Sequence, residues 1–199
     1  MITNCESSEC LLAEGNLSRE IISTLEFPRK VLASKWTEFH FFDSDRIFES
    51  NFSEVVKALI KKEGSNCVCM SMLDYIEGET SGRRSFFLHE ESTALEYGSA
   101  IYSSSEIAES WSVNMDRFGC ISDSGRWVIY CERRNEIAVV AFEDRKSALE
   151  LLPLIEQFNA LPIEQAIRAQ SSFGFSDAAL SPEWKNQLCE HYANALKMS

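Results

Sequence analysis

Glycine and proline are scarce in this chain, with 8 and 4 in 199 residues. None of the glycines falls in a motif that needs a bare backbone: there is no GxxxxGK[ST] loop to cradle phosphates, no GxGxxG after a strand, and no GxSxG elbow for a serine nucleophile. Mononucleotide, dinucleotide and serine-hydrolase chemistries are therefore not expected. Basic residues are also few, 19 Lys and Arg against 31 Asp and Glu, for a formal net charge of -12. The sequence pI is near 4.8. A phosphate-binding surface needs the opposite balance, so nucleic acid is not an expected ligand.

Long apolar runs are missing as well. Nothing approaches the roughly 18 residues of a membrane span, and the first stretch, MITNCESSECLLAEGN, has neither the basic nor the apolar region of a secretory signal. A cytoplasmic protein with no membrane contact is the expectation. The seven cysteines (Cys5, Cys10, Cys67, Cys69, Cys120, Cys131, Cys189) form no CxxC pair, and most are read as buried thiols. Cys67 and Cys69, two apart in a strand-like run, should share a face. His40, His89 and His191 stand apart from one another, and HExxH fails because Ser92 and Thr93 follow His89-Glu90-Glu91. No metal and no cofactor is expected.

What the chain does contain is a readable β-meander between Phe118 and Phe142. Two apolar runs, Trp127 to Cys131 and Ile137 to Phe142, flank the polar cluster Glu132-Arg133-Arg134-Asn135-Glu136, and a shorter strand, Phe118 to Ile121, enters through Asp123-Ser124-Gly125. With Arg134-Asn135 as a two-residue loop, Val128 and Tyr130 share a face with Ile137, Val139 and Ala141. Trp127, Ile129 and Cys131 then share the other with Ala138, Val140 and Phe142. Both faces are apolar, so this hairpin should be central and covered on both sides.

The rest is read around it. Residues 1–16 are small, polar and acidic and read as a flexible tail; 17–199 read as a single α+β domain. Leu17 to Phe27 has helical spacing, with Asn16 or Ser18 as cap and Pro28 as stop. Val31 to Phe42 is aromatic-rich without a clear period. Asp43-Ser44-Asp45 reads as a turn, Ser53 to Lys62 as a helix capped by Ser53 and closed by Gly64, and Cys67 to Leu73 as a buried strand with Phe86 to His89 as its partner. Glu106 to Trp111 could form a helical turn. Helices are expected from Arg145, split at Pro153, after Pro162, and from Ser181-Pro182 along Trp184, Leu188, Tyr192 and Ala195-Leu196. The fold expected is α+β: an antiparallel sheet centred on 118–142 with helices on at least one face.

Two polar segments are candidate partner-binding sites. One is the hairpin tip with Glu132, Arg133, Arg134 and Glu136; the other is the long loop with Glu77, Glu79, Arg83 and Arg84. Trp127 and Trp184 fit buried faces, whereas Trp36 and Trp111 are candidate interface anchors. Missing catalytic signatures and the acidic balance together favour a non-enzymatic protein-binding domain that blocks a basic partner, as immunity and inhibitor proteins do. Homo-oligomerisation stays open. The alternative is a small-molecule or divalent-metal enzyme, or a ligand-binding domain, in which Asp43, Asp45, Asp74, Glu77 and Glu79 converge on a pocket.

Overall fold

In a computed structural model, residues 7–74, 85–102, 116–169 and 180–193 are described. Six strands form one antiparallel sheet: β1 (Glu38–Asp43), β2 (Cys67–Met72), β3 (Ser85–His89), β4 (Arg117–Ser122), β5 (Trp127–Glu132) and β6 (Ile137–Phe142). Their order across the sheet is β1-β6-β5-β4-β2-β3, which puts the meander at the centre. Trp127 pairs with Phe142 and Glu132 with Ile137, so the side chains divide between the faces as alternation predicts. The connection is longer than two residues. Arg133–Asn135 makes a 3-10 turn and Glu136 adopts the left-handed conformation at φ 54°; a four-residue connection centred on the same point leaves the register unchanged.

Each face of the sheet carries its own core. On one side Trp127, Ile129, Cys131, Ala138, Val140 and Phe142 pack beneath α2 (Phe52–Glu63), α3 (Ala94–Tyr102), α4 (Arg145–Leu151) and a 3-10 segment, Leu152–Phe158. On the other, Val128, Tyr130, Ile137, Val139 and Ala141 lie beneath α1 (Ser8–Glu20), α5 (Ile163–Ala166) and α6 (Pro182–Tyr192). Gly64 closes α2 at φ 69°, and Ser181 caps α6 by accepting the Trp184 N–H. Pro153 does break the helix there: the chain changes from α4 to a 3-10 segment with Ile155 off helical geometry.

Several expectations are corrected. Residues 8–16 are not a tail; they belong to α1, capped by Ser7, with Cys10, Ala13, Asn16 and Leu17 buried. The helix ends at Glu20, so Ile22 to Phe27 is irregular chain. Asn16 is no cap: its amide donates to the carbonyls of Ser122 (3.3 Å) and Asp123 (3.0 Å), tying α1 to the turn where Gly125 sits at φ 65°. The cap expected of Ser53 is also absent, because Asn51 occupies that position without a side-chain bond. Trp36 is no exposed anchor either, being 1% exposed with its indole N–H donating to Glu20. Cys67, Cys69, Cys120 and Cys131 are free and buried, Cys189 is free and half-buried, and Cys10 is disulfide-bonded. The expectations for Glu77, Glu79, Arg83, Arg84, Trp111, the 106–111 turn and Ala195-Leu196 fall outside the described residues.

Candidate functional site

The predicted charged tip is taken apart by strand parity. Val128, Tyr130 and Glu132 alternate along β5, so all three point to the α1 and α6 face, and Glu132 is 0% exposed. It is corrected from tip residue to buried carboxylate. Oε1 accepts the Phe27 backbone N–H and the Tyr130 hydroxyl, both at 2.6 Å, and Oε2 accepts the Asn135 amide at 2.6 Å. Burial raises the Glu132 pKa, opposed by those three hydrogen bonds and assisted by the charge of Glu26. Burial likewise pushes the Tyr130 phenol well up, with the Glu132 charge second.

Arg117 opens β4 and pairs with Glu132 across the strands; its guanidinium acts on the Tyr130 phenol that donates to Glu132 and is also held by Asp74 and loop carbonyls. Nε donates to Asp74 at 2.6 Å, Nη2 also meets Asp74, and Nη1 donates to the carbonyls of Ser23 (3.0 Å) and Leu25 (3.2 Å). Arg134 pairs with Glu26 and, at 3.4 Å, with Asp116. Arg133 is half-buried, its guanidinium 4.5 Å from the centre of the Phe48 ring, and its N–H donates to the Asp116 carbonyl at 2.8 Å. Of the four predicted tip residues, Glu136 alone is exposed with no ion pair among the described residues.

The same end of the sheet gathers further carboxylates. Asp43 pairs with Ile137 and the Glu136 carbonyl faces the Ser44 N–H. Burial raises the Asp43 pKa against the hydrogen bond from the Asp45 N–H, and the like charges of Asp45 and Glu49 raise it further against Arg46. Burial raises the Cys131 thiol pKa, opposed by the Arg133 charge and assisted by Glu132, Asp45 and Asp116. Of the carboxylates read as metal ligands, Asp74 is engaged by Arg117 and Glu77 and Glu79 lie outside the described residues, among which no group of three or more His, Cys, Asp or Glu is suited to a metal ion.

The histidines are apart from this cluster. His40 packs edge-on near Phe142, ring centres 6.4 Å apart, and burial lowers its pKa to about 4. His89 Nδ1 lies 3.2 Å from the Asn66 carbonyl, and His191 is exposed on α6.

The sequence placed Tyr192 on the apolar stripe of the last helix without a further role, and did not single out Phe27 or Arg117. Ile22 to Val31 forms a loop whose ends are tied by the Ile22 N–H and the Val31 carbonyl at 2.7 Å. Phe27 at its tip inserts between Tyr130 (ring centres 5.0 Å), Tyr192 (5.5 Å) and Phe41 (5.9 Å). Tyr192 holds the loop again, accepting the Val31 N–H at 2.8 Å and donating to the Arg29 carbonyl at 3.0 Å. Among the described residues no helix is long and apolar enough to cross a membrane. Comparison with known proteins found no matching family model, no matching curated protein and no matching solved structure.

Proposed function

We propose that this chain is a non-enzymatic protein-binding domain that captures a basic partner, in the manner of an immunity or inhibitor protein acting in the cytoplasm. The observation that carries the reading is the state of charge at the Glu132 end of the sheet. Its arginines are engaged internally: Arg117 with Asp74, Arg134 with Glu26 and Asp116, Arg46 with Glu49, and Arg133 over the Phe48 ring. Asp43, Asp45 and Glu136 are left without an ion pair among the described residues, so this end carries uncompensated negative charge. A field of that sign speeds encounter with a basic surface and selects against acidic ones. The buried Glu132 already accepts three hydrogen bonds, which favours a fixed element of the fold over a reacting group.

The test starts with affinity capture from the native cell and continues with association kinetics of the purified pair. Raising salt from about 50 to about 500 mM should slow association by roughly tenfold or more, because such charges are screened over about a nanometre. Asp45→Lys with Glu136→Lys should slow it at low salt and flatten the salt dependence. Association indifferent to both salt and charge reversal would end the reading.

A further inference from the structure

The two edges of the sheet are finished differently. At β1 the outer edge is met by Leu161, which exchanges backbone bonds with Phe41 in both directions, at 2.7 and 2.9 Å, and the residue after it is Pro162, which has no N–H with which to extend the pairing. At the opposite edge stands β3, which among the described residues pairs with β2 alone. Alternation along β2 shows which groups of β3 face outward. The Cys67 carbonyl accepts from the Asp123 N–H and the Leu73 N–H donates to the Arg117 carbonyl, so the odd-numbered residues of β2 bond to β4, and Val68 and Met70 bond to β3. Their partners are Leu88 and Phe86. Ser85, Phe87 and His89 therefore direct their N–H and C=O away from the sheet.

His89 is closed locally. Its N–H donates to the Ser92 hydroxyl and its carbonyl accepts the Ser92 N–H, both at 3.0 Å. The backbone groups of Ser85 and Phe87 have no such partner among the described residues. The strand reads SFFLH, without the lysine or proline that commonly guards an edge. Beside it, Ser85 donates to Glu14 of α1 at 3.2 Å. Leu11, three residues from Glu14 and so its neighbour on the helix, is 63% exposed.

We infer that this edge pairs with the same edge of a second copy of the chain, antiparallel about a twofold axis at Phe86. Ser85 and Phe87 are available and His89 is not. A twofold pairing uses both available positions when Ser85 of each copy lies opposite Phe87 of the other, each such pair exchanging N–H and C=O in both directions. The sequence around the strand is complementary to itself in the same sense. Arg83-Arg84 precede it and Glu90-Glu91 follow it, so antiparallel copies lay the basic start of one strand along the acidic end of the other. Glu90 and Glu91 are exposed and have no ion pair among the described residues. The joined sheet keeps β1 at its outer edges, which leaves Asp43 and Asp45 open to a basic partner, and the pairing stands without that reading.

Sedimentation equilibrium of the full chain, from about 1 to about 500 μM, should show reversible dimerisation with a dissociation constant on the order of 10 μM, as suits a short edge. Glu90→Lys/Glu91→Lys and Arg83→Glu/Arg84→Glu should each weaken the dimer by roughly tenfold or more. An equal mixture of the two variants should restore it, because every basic run then meets an acidic one. With rising concentration the Ser85 and Phe87 amides should gain protection from hydrogen exchange, while those of Phe86 and Leu88, already bonded to β2, should not change. A chain that stays monomeric throughout overturns the pairing, and so does a dimer that both charge variants form as well as the wild type. Ser85 and Phe87 amides protected equally at every concentration would show the edge to be covered from within one chain, which overturns it too.

Discussion

The backbone N–H of Phe27 donates to Oε1 of Glu132 at 2.6 Å, joining residues 105 positions apart in the chain. That bond fastens an irregular loop to the end of a central strand. It also explains why a glutamate beside two arginines is not a surface residue: the strand's alternation turns it inward, and the loop arriving over it brings a donor that would otherwise be buried unpaired.

Two substitutions at Glu132 should part company. Glu132→Ala leaves three donors without an acceptor, which costs about 3 kcal/mol or more. Glu132→Gln keeps an oxygen for Phe27 and Tyr130, and the Asn135 amide can rotate to accept. The wild-type carboxyl has a raised pKa in the fold, so the stability it contributes is full below its unfolded value and is lost as pH rises through the folded one. At neutral pH the glutamine variant should therefore match or exceed the wild type in urea denaturation. A loss as large as that of the alanine variant would show that the ionised form is the stabilising one.

His40 should have the opposite pH dependence. Burial lowers its pKa from 6.5 to about 4, so the unfolded chain binds the proton more readily than the fold does. Its contribution is complete above about pH 6.5 and is lost as pH falls toward 4. His40→Phe, facing Phe142, should flatten the stability profile over that interval in thermal unfolding measured at successive pH values. A profile unchanged by the substitution would mean that the imidazole is already protonated or freely hydrated.

The centre of the fold was legible because its signals are local. Continuous apolar runs with turn residues between them fix β5 and β6, and register follows from the symmetry of the connection about Arg134-Asn135. Helix α1 was hidden by low contrast: Cys10 and Ala13 are small, and leucines 11 and 12 face solvent at 63% and 51% exposure. Helix α3 was hidden in a serine-rich stretch. Glu132 could have been found, since the two-residue period that assigns Val128 and Tyr130 to one face assigns Glu132 to it as well. What no local pattern contains is the loop that covers it, because the Phe27 contacts are all long-range.

Trp127 and Trp36 test opposite expectations with the same substitution. Trp127 is fully buried and its indole N–H donates to Glu63 at 3.1 Å; Trp36 is equally enclosed and bonded to Glu20. Each change to alanine should cost about 3 to 5 kcal/mol, as large core truncations do. Trp127→Phe, which keeps most of the packing, should cost less. A Trp36→Ala variant of wild-type stability in chemical denaturation would reopen its candidacy as an interface anchor.

Gly119 lies mid-way along β4, where a side chain would ordinarily add stability by packing. Here α1 crosses so closely that a Cβ at this position would collide with the Ile21 Cδ1 and approach the Leu17 Cδ1 to 2.9 Å. Both atoms are ends of side chains, so the helix can yield by rotamer change before its backbone moves. Gly119→Ala should cost about 1 to 3 kcal/mol, the range of a strained insertion into a packed core, and Gly119→Val should cost more because a branched side chain leaves Ile21 nowhere to go. Hydrogen exchange of the α1 amides should accelerate in both variants ahead of the β5 and β6 amides. Uniform acceleration across the sheet would mean that α1 and the sheet unfold together, and that its seat on β4 is not a separate contact.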